Sequence, residues 1–236
     1  MITDKYKEKQ YPEYFSFEIK PFIEEDIKNN EKQKYSTIQS ILNEDYEEFN
    51  EKRKKGVTDG YLYEIIRKDL IEEFITYVNK ENYPLNRFIE KSHFETNEFL
   101  LKQNQTTLIE YAAFYGSTQI FKYLYKNEAS MTPQLWLYAI HGCDEEIIHI
   151  LEENNITIDV DEKESKGLLK QCIKESIKCH HDYVTNYIID NFLKNNQCSE
   201  DDIFSYCLAY YNFIYLDTEK INNVNLFINA CKYDYF

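Results

Sequence analysis

The sequence predicts an all-α protein whose main part is a stack of repeated helix pairs. One helix-pair pattern occurs twice in succession between Thr107 and Asn155. The chain of 236 residues contains only 5 Gly and 4 Pro, which disfavours a protein of many tight turns or many strands. It also contains 22 Tyr and 15 Phe, enough large side chains for apolar helix faces. We therefore expect a helical-repeat solenoid, which grows by stacking units.

Residues 1–60 carry no copy of this pattern and are expected to form an N-terminal helical segment. Ser36 is predicted to cap a helix that uses apolar residues as far as Phe49. We place a boundary after Gly60 and assign residues 61–236 to the repeat array, with its last unit incomplete. An earlier amphipathic helix is indicated by apolar residues at Phe15, Phe17, Ile19, Phe22, Ile23 and Ile27.

The first helix of each predicted unit carries apolar or small residues at positions i, i+3 and i+4, a stripe that faces neighbouring helices. This trio recurs six times, which favours a repeat over a chance pattern. The trios are Leu62/Ile65/Ile66, Ile109/Ala112/Ala113, Trp136/Ala139/Ile140, Ile173/Ser176/Ile177, Phe204/Cys207/Leu208 and Phe227/Ala230/Cys231.

A turn and a second helix are expected after each first helix. The predicted turn positions are Gly116, Cys143, His180 and Tyr211, separated by 27, 37 and 31 residues. The second helices are expected to bury a group of residues that begins four positions after the turn. These groups are Ile120/Phe121/Tyr123/Leu124, Ile147/Ile148/Ile150/Leu151 and Val184/Thr185/Tyr187/Ile188.

Capping residues mark the predicted helix starts, where side-chain oxygens accept bonds from unpaired first-turn amides. Thr107 and Glu110 match the capping box. Thr132 precedes Pro133, a residue that favours the first helical position. The predicted caps of the second helices are Ser117, Asp144 and Asp182.

The two best copies resemble ankyrin repeats. Against the pattern Thr-Pro-Leu-His-x-Ala-Ala-x-x-Gly, the first copy keeps Thr107, Ala112, Ala113 and Gly116, and the second keeps Ala139. The turn spacings scatter around the ~33-residue period of ankyrin repeats. The resemblance implies stacked helix pairs in which projecting fingers join one unit to the next.

Several segments have a more specific resemblance, to a divergent ankyrin-repeat family of unknown function that is expanded in anaerobic, trichomonad-like protists. The similarity spans Tyr61 to Phe192. The segments that carry it are Leu108-Ile-Glu-Tyr-Ala-Ala-Phe-Tyr-Gly-Ser, Leu135-Trp-Leu-Tyr-Ala-Ile-His-Gly, Glu64-Ile-Ile-Arg-Lys-Asp, Phe94-Glu-Thr-Asn and Glu175-Ser-Ile-Lys-Cys-His-His.

The chain departs from the ankyrin pattern in two places. Leu108–Glu110 replaces Pro-Leu-His, so the histidine bonds that brace neighbouring ankyrin repeats are expected to be missing. The 27-residue unit leaves room only for short or irregular fingers. The trio at Phe227 is followed by Lys232–Phe236 alone, so the array is expected to stop within a unit, either because the sequence is truncated or because its C-terminus is frayed.

The composition also limits the expected partners and compartment. The formal net charge of −15 repels phosphate backbones and anionic headgroups, so nucleic acid and membrane surfaces are disfavoured. The basic run Lys52–Lys55 is interpreted as a solvated helix end. No apolar run approaches the ~18 residues of a membrane helix, and the N-terminus lacks a signal-peptide core. We expect a cytoplasmic protein whose six cysteines are reduced thiols.

No residue pattern indicates catalysis or a bound cofactor. The five glycines form neither a P-loop nor a dinucleotide-binding pattern. Cys172, Cys179, His180 and His181 lie within ten residues, but adjacent ligands do not easily converge on one ion, which disfavours a structural metal site. The sequence therefore predicts no enzymatic activity, no cofactor and no metal site.

The predicted function is protein–protein interaction through the concave face of the stack. In ankyrin proteins this face is formed by the two residues before each turn and by the loop before the first helix. Phe114 and Tyr115 have two equally weighted interpretations, exposed anchors for a partner or packing against the next unit. The resemblance places the binding residues at Gln103, Asn104, Gln105, Phe114, Tyr115, Met131, His141 and Lys178.

Two rival interpretations are kept beside the scaffold. The chain is alternatively a non-catalytic supporting or regulatory module of a longer protein whose activity lies C-terminal to this sequence. A metal-dependent enzyme is the third interpretation, and no motif supports it.

Overall fold

The computed structural model describes residues 11–28, 35–158, 167–193 and 198–215, together with Cys231. Every regular element in these ranges is a helix, which confirms the predicted all-α class. In chain order the α-helices are α1 (Tyr11–Tyr14), α2 (Ser16–Lys28), α3 (Ser36–Ile41), α4 (Tyr46–Lys55), α5 (Tyr61–Arg67), α6 (Ile71–Lys80), α7 (Glu98–Lys102), α8 (Leu108–Phe114), α9 (Thr118–Lys126), α10 (Leu135–Gly142), α11 (Glu145–Glu153), α12 (Leu168–Lys178), α13 (Asp182–Phe192) and α14 (Glu200–Ala209).

The chain divides into two compact units that are not continuous in sequence. The first contains Met1–Glu64 and Phe88–Thr106, and the second contains Ile65–Arg87 and Thr107–Phe236. The segment from Phe88 to Thr106 therefore interrupts the second unit and belongs to the first. The boundary after residue 60 remains a prediction.

The core of the first unit is a cluster of aromatic side chains. Ile41, Phe49 and Phe94 are buried together, and Phe17 packs against them. The ring centroids of Phe17 and Phe94 lie 4.9 and 5.2 Å from that of Phe49. Phe17 of α2 and Phe49 of α4, both predicted as apolar helix positions, therefore pack in this core.

The single helix predicted to reach Phe49 from a cap at Ser36 is two helices in the structure, α3 and α4. Asp45 separates them, because its backbone is extended and its side chain accepts a bond from the amide of Glu48 at 3.0 Å. The predicted cap at Ser36 is wrong. Ser36 is the first residue of α3, and the N-cap, Tyr35, makes no side-chain capping bond.

Helix α4 ends as the sequence predicts. Gly56 adopts the left-handed conformation with φ 64°, which glycine tolerates without strain. Lys52–Lys55 form the last turn of α4, where positive charge suits the negative end of the helix dipole. Arg53 also pairs with Glu18 at 2.7 Å. The basic run is a helix end, as predicted.

In the second unit the helices pack in pairs and in two rows. The pairs are α8/α9, α10/α11 and α12/α13. The first helices α8, α10, α12 and α14 each pack on the next, and so do the second helices α6, α9 and α11. A short 3₁₀ helix, Phe213–Tyr215, packs against α14.

The predicted turn positions all have a left-handed backbone. The φ angles are 64° at Gly116, 49° at Cys143, 57° at His180 and 57° at Tyr211. Asp69, after α5, has a φ of 53° and marks a further turn of the same kind. These residues allow the chain to reverse tightly after a first helix. The sequence therefore located the turns correctly although only one of them is a glycine.

The trios of the first helices are buried, as predicted, wherever the structure describes them. All members of the first five trios are shielded from solvent, including the polar Ser176. Among the second-helix residues, Tyr123 and Tyr187 are half-buried and the others are buried. Of the sixth trio, Phe227 and Ala230 lie outside the described residues, and Cys231 is exposed.

Two of the predicted helix caps are confirmed. Thr107 and Glu110 form a reciprocal capping box, in which the Glu110 carboxylate accepts from the Thr107 amide at 2.7 Å. Asp144 accepts from the amide of Ile147 at 2.9 Å and so starts α11. Each cap satisfies an amide that the helix itself leaves unpaired.

Ser117 precedes α9 as predicted but does not cap it. Its hydroxyl donates to the carbonyl oxygen of Ile66. The free amides of α9 are instead satisfied by a residue from the preceding turn. Asp69 accepts from the amides of Gln119 and Ile120 at 3.0 and 2.9 Å. The cap of α9 therefore comes from another helix pair, which local sequence does not reveal.

Two other predicted helix starts are shifted along the chain. Asp182 is the first residue of α13, and His181 is its N-cap. Helix α10 begins at Leu135 and not at Pro133, because the segment from Thr132 first forms a turn in which the Leu135 amide donates to the Thr132 carbonyl at 2.9 Å. The predicted cap at Thr132 is therefore wrong.

Polar side chains that follow the turns link successive first helices. The Ser117 hydroxyl donates to Ile66, and the Asn212 amide group donates to the carbonyl of Ile177 at 3.2 Å. In both cases the donor lies one residue after a turn, and the acceptor lies three residues before the preceding turn. Carbonyls near helix C-termini lack intrahelical partners, so these bonds satisfy otherwise unpaired groups. They connect successive first helices of the second compact unit.

Candidate functional site

Successive first helices of the second unit contact one another in a repeated way near their C-terminal ends. Arg67 lies two residues before its turn, and its Nη1 donates to the hydroxyl of Tyr111 at 2.7 Å. His141 also lies two residues before its turn, and its Nε2 is 3.3 Å from Oε2 of Glu175. Tyr111 and Glu175 both lie five residues before the next turn. The same sequence positions therefore meet at two different helix interfaces.

A row of half-buried aromatic and charged side chains runs along these helix ends. We call it the tip row and define it as Arg67, Tyr115, His141, Lys178 and Tyr210. The Arg67 guanidinium lies 6.0 Å from the ring centroid of Tyr115, and the Lys178 ammonium lies 6.0 Å from that of Tyr210. Such distances allow attraction between a cation and a ring face. Two pairs of the tip row, Arg67/Tyr115 and Lys178/Tyr210, therefore contact each other directly.

Phe114 is buried next to two members of the tip row, Tyr115 and His141. It is only 8% exposed, and its ring centroid lies 4.9 Å from that of Tyr115 and 5.0 Å from that of His141. His141 belongs to the next first helix, so Phe114 packs against the following unit. This is the second of the two interpretations given for Phe114 in the sequence. Tyr115 is half-buried and keeps part of its surface for contact with solvent.

The other proposed binding residues lie in two places. Met131, in the connection between α9 and α10, is half-buried. Gln103, Asn104 and Gln105 belong to the first compact unit, where they line a cavity of about 180 Å³. The eight residues therefore divide between the two units.

The cavity of the first unit contains one buried carboxylate, that of Glu95. Its Oε2 accepts bonds from the amide and the hydroxyl of Thr58 at 2.9 and 2.8 Å, and its Oε1 accepts from the amide of Asn97 at 2.8 Å. These donors explain how the carboxylate is buried at low cost. The burial of the Glu95 carboxylate is therefore explained by its hydrogen bonds to Thr58 and Asn97.

A group of three side chains with metal-binding atoms lies between α10 and α12 in the second unit. His141, Glu175 and Cys179 each offer one ligand atom, and these atoms all lie within 4.8 Å of one another. Nδ1 of His141 is 3.4 Å from Sγ of Cys179, while Nε2 of the same ring faces Glu175. The side chains of His141 and Glu175 are 11% and 16% exposed. We call these three residues the His–Glu–Cys cluster.

Burial and nearby charge act in opposite directions on the Glu175 carboxyl. Burial alone raises its pKa, but the neighbouring His141 imidazole and the charge of Lys178 outweigh burial and hold the pKa below its ordinary value. Burial and the Glu175 carboxylate raise the pKa of the Cys179 thiol to about 11. At neutral pH the cluster therefore contains a carboxylate and a protonated thiol.

The four residues weighed as metal ligands in the sequence are not brought together. Cys172 is fully buried in the helix core. His180 is exposed, and its Nε2 lies 3.0 Å from the carbonyl oxygen of Tyr210. Of the four, only Cys179 joins the His–Glu–Cys cluster.

Glu175 is the residue that sequence reasoning missed. Its partner lies on another helix, so no local motif connects the two. The contact could have been predicted by comparing positions relative to the turns. His141 lies two residues before the turn at 143, and Glu175 lies five residues before the turn at 180. Aligning the turns of neighbouring units would have predicted their contact.

Comparisons with known proteins give no relative for this chain. No protein-family model matches it, and neither a curated protein nor a solved structure matches at a significant level. Within the described ranges, no helix combines the length and the apolar character needed to cross a membrane.

Proposed function

We propose that the second unit is an ankyrin-like helical-repeat array that serves as a cytoplasmic protein–protein interaction scaffold. The partner protein would bind across the tip row, on the side that corresponds to the concave face of an ankyrin stack. The proposal assigns the chain a binding role and no chemical reaction. It rests on the tip row, a set of half-buried aromatic and charged side chains at the C-terminal ends of successive first helices.

The side chains of the tip row are of the kinds that dominate protein interfaces. Tyrosine and arginine are enriched among the residues that contribute most to binding, because they present large areas together with polar groups. Tyr115 packs against Tyr111 with ring centroids 4.8 Å apart, so its rotamer is restricted before a partner arrives. Restricted anchors lose less conformational entropy on binding. This arrangement supports recognition of a folded surface or an extended segment of another protein.

The cysteines agree with an intracellular site of action. All six are free thiols, and three of them, Cys172, Cys198 and Cys207, are buried. Proteins of oxidising compartments commonly pair such residues in disulfides. A reducing cytoplasm is therefore the compartment we propose.

Site-specific cross-linking tests the proposed surface directly. A photoreactive amino acid would replace Tyr115 or Tyr210 in the full chain, and cross-linked proteins from the source cell would be identified by mass spectrometry. The matched control is the same substitution at Tyr183, which is 65% exposed on α13 and outside the tip row. A protein cross-linked at residues 115 and 210 but not at 183 is the expected result.

The double variant Tyr115→Ala/Tyr210→Ala provides the second arm. It should lose the cross-linked protein from an affinity capture while keeping the helical circular dichroism of the wild type. Tyr183→Ala should retain that protein. If the captured set is the same for all three chains, the tip row is not the binding surface and the proposal fails.

A further inference from the structure

We propose that His141, Glu175 and Cys179 bind a divalent transition-metal ion, for which Zn²⁺ has the best-matched chemistry. The three side chains present an imidazole nitrogen, a carboxylate oxygen and a sulfur within 4.8 Å of one another. These are the ligand types that proteins use for zinc. The inference departs from the sequence-based expectation of no metal site, because Glu175 becomes a neighbour only through folding.

The separations between the ligand atoms suit one small ion. With zinc bonds of about 2.0 Å to nitrogen or oxygen and about 2.3 Å to sulfur, tetrahedral ligand atoms lie roughly 3.3 to 3.7 Å apart. His141 is 3.4 Å from Cys179 through Nδ1 and 3.3 Å from Glu175 through Nε2. Only one ring nitrogen binds the ion, so the remaining ligand atom starts at most 4.8 Å from the others and must approach to about 3.7 Å. Side-chain rotation is sufficient for that movement.

The backbone elements hold the ligands on adjacent rigid supports. Glu175 and Cys179 are four residues apart at the end of α12 and therefore share one helix face. His141 is in the last turn of α10, which packs directly against α12. Because the two helices are neighbours in the same unit, binding needs no backbone rearrangement. Three protein ligands leave a fourth position for a water molecule.

Ligation by the Cys179 sulfur predicts a measurable proton release. A cysteine binds a metal ion as its thiolate, so the thiol must lose a proton when the ion binds. As the sulfur–metal bond forms, the S–H bond breaks and the proton passes to the buffer. No electron is transferred in this step.

Lys178 is the main competitor for the proposed ion. Its Nζ lies 3.4 Å from Oε2 of Glu175, where its positive charge stabilises the carboxylate and repels a metal cation. The metal would therefore replace an ion pair, and the ammonium would turn toward solvent. Removing this charge should strengthen metal binding while leaving all three ligands in place.

Titration of the reduced, tag-free full chain tests the site. Zn²⁺ binding and proton release would be measured by calorimetry in buffers of different ionisation enthalpy. Co²⁺ would serve as a spectroscopic substitute, because a cysteine ligand produces a thiolate-to-cobalt charge-transfer band and a tetrahedral site produces intense visible bands. The expected result is one ion per chain, release of a proton and a cobalt–thiolate band.

Variants assign the ligands. Cys179→Ser, His141→Asn and Glu175→Gln should each weaken Zn²⁺ binding by about 100-fold or more, since loss of an outer partner alone costs about 10- to 100-fold. Cys179→Ser should also abolish the charge-transfer band. Lys178→Met should bind more tightly than the wild type. The matched control, His149→Gln, removes an exposed histidine that lies near two carboxylates, Glu152 and Glu153, and should bind like the wild type.

Several outcomes overturn the inference. These are no saturable binding by the wild type, wild-type affinity in the Cys179→Ser chain, loss of binding in the His149→Gln chain, or unchanged or weaker binding by Lys178→Met. Circular dichroism of each metal-free variant identifies a chain that fails to fold. Glu175→Gln is nearly isosteric and is expected to keep the fold. The titration needs no partner protein, so its result is independent of the proposed scaffold function.

Discussion

A Cβ atom on Gly142 would lie 2.0 Å from the carbonyl oxygen of Ala113. Real Cβ atoms do not approach a backbone oxygen so closely, so the backbones of α8 and α10 touch at this point without an intervening side chain. The contact lies at the C-terminal ends of both helices, directly below the tip row. The residues next to these two in sequence, Phe114 and His141, have ring centroids 5.0 Å apart.

Gly142→Ala should therefore destabilise the protein. Alanine is the better helix former by about 1 kcal/mol, so propensity alone predicts a gain in stability. The added methyl group cannot avoid the Ala113 carbonyl unless the two helices separate, and overpacking of this kind costs about 1 to 3 kcal/mol. A lower urea midpoint for Gly142→Ala is the expected result. An unchanged or higher midpoint would mean that α8 and α10 are farther apart.

Ala139→Asp should prevent cooperative folding of the second unit. Ala139 is 1% exposed in the stripe that α10 turns toward its neighbours. An aspartate there would bury a carboxylate without a partner, which costs several kcal/mol. Ala209→Asp is the matched control, because Ala209 is a half-buried alanine at the end of another first helix. Thermal melting should show loss of the transition for Ala139→Asp and a small shift for Ala209→Asp.

The sequence could predict the parts of this fold that depend on local spacing. The stripe that contains Ala139 follows from apolar spacing within one helix, and the turn at Cys143 follows from the apolar group that begins four residues later. Bonds between units were not found, because their partners are far apart in sequence. Asp69 caps α9 across about 50 residues, and Glu175 meets His141 across 34. Only an alignment of successive turns brings such pairs together before a structure is known.

Ser117→Ala should destabilise the protein by about 1 to 2 kcal/mol. The Ser117 hydroxyl is 1% exposed and donates to the carbonyl of Ile66, which would be left buried and unsatisfied. Ser40→Ala is a suitable control, because the Ser40 hydroxyl donates to the carbonyl of Thr37 at an exposed position. Chemical denaturation of both variants measures the difference. Equal effects would show that the hydrogen bond from Ser117 to the Ile66 carbonyl contributes nothing to stability.

The thiols should differ widely in their rates of alkylation. Cys231 is exposed, whereas Cys172 and Cys207 are completely buried. Burial raises the pKa of Cys207 to about 11, so about one molecule in 10,000 carries the reactive thiolate at pH 7. Iodoacetamide labelling followed by peptide mapping should modify Cys231 first and the two buried thiols last. Urea-denatured protein, in which all six react, provides the reference.

Rapid labelling of Cys172 in the native chain would contradict this order. It would mean that the core of α12 opens faster than the reagent reacts, because the closed form gives the reagent no access. A labelling rate for Cys172 that rises in parallel with the unfolded fraction in low urea is the expected behaviour.

Acid should remove a stabilising interaction at the start of α14. Asp202 lies 2.6 Å from the Lys170 ammonium and accepts bonds from the amide and the hydroxyl of Ser199 at 3.2 and 2.9 Å. Burial alone raises the pKa of this carboxyl, but the bonds from Lys170 and Ser199 outweigh burial and hold the pKa below 3.8. Because the folded pKa is the lower one, Asp202 stabilises the fold above pH 3.8, and this contribution is lost as the pH falls through the folded value.

Asp202→Asn should therefore lower the urea midpoint most above pH 3.8. The difference from the wild type should shrink as the solution is acidified, because protonation removes the same charge from the wild-type side chain. Salt should also reduce the difference, since both Lys170 and Asp202 are partly exposed. Asp201→Asn is the control, because it removes a carboxylate from the same helical turn and leaves the contacts of Asp202 in place. A pH-independent difference for Asp202→Asn would show that the capping bonds to Ser199, and not the charge, carry its contribution.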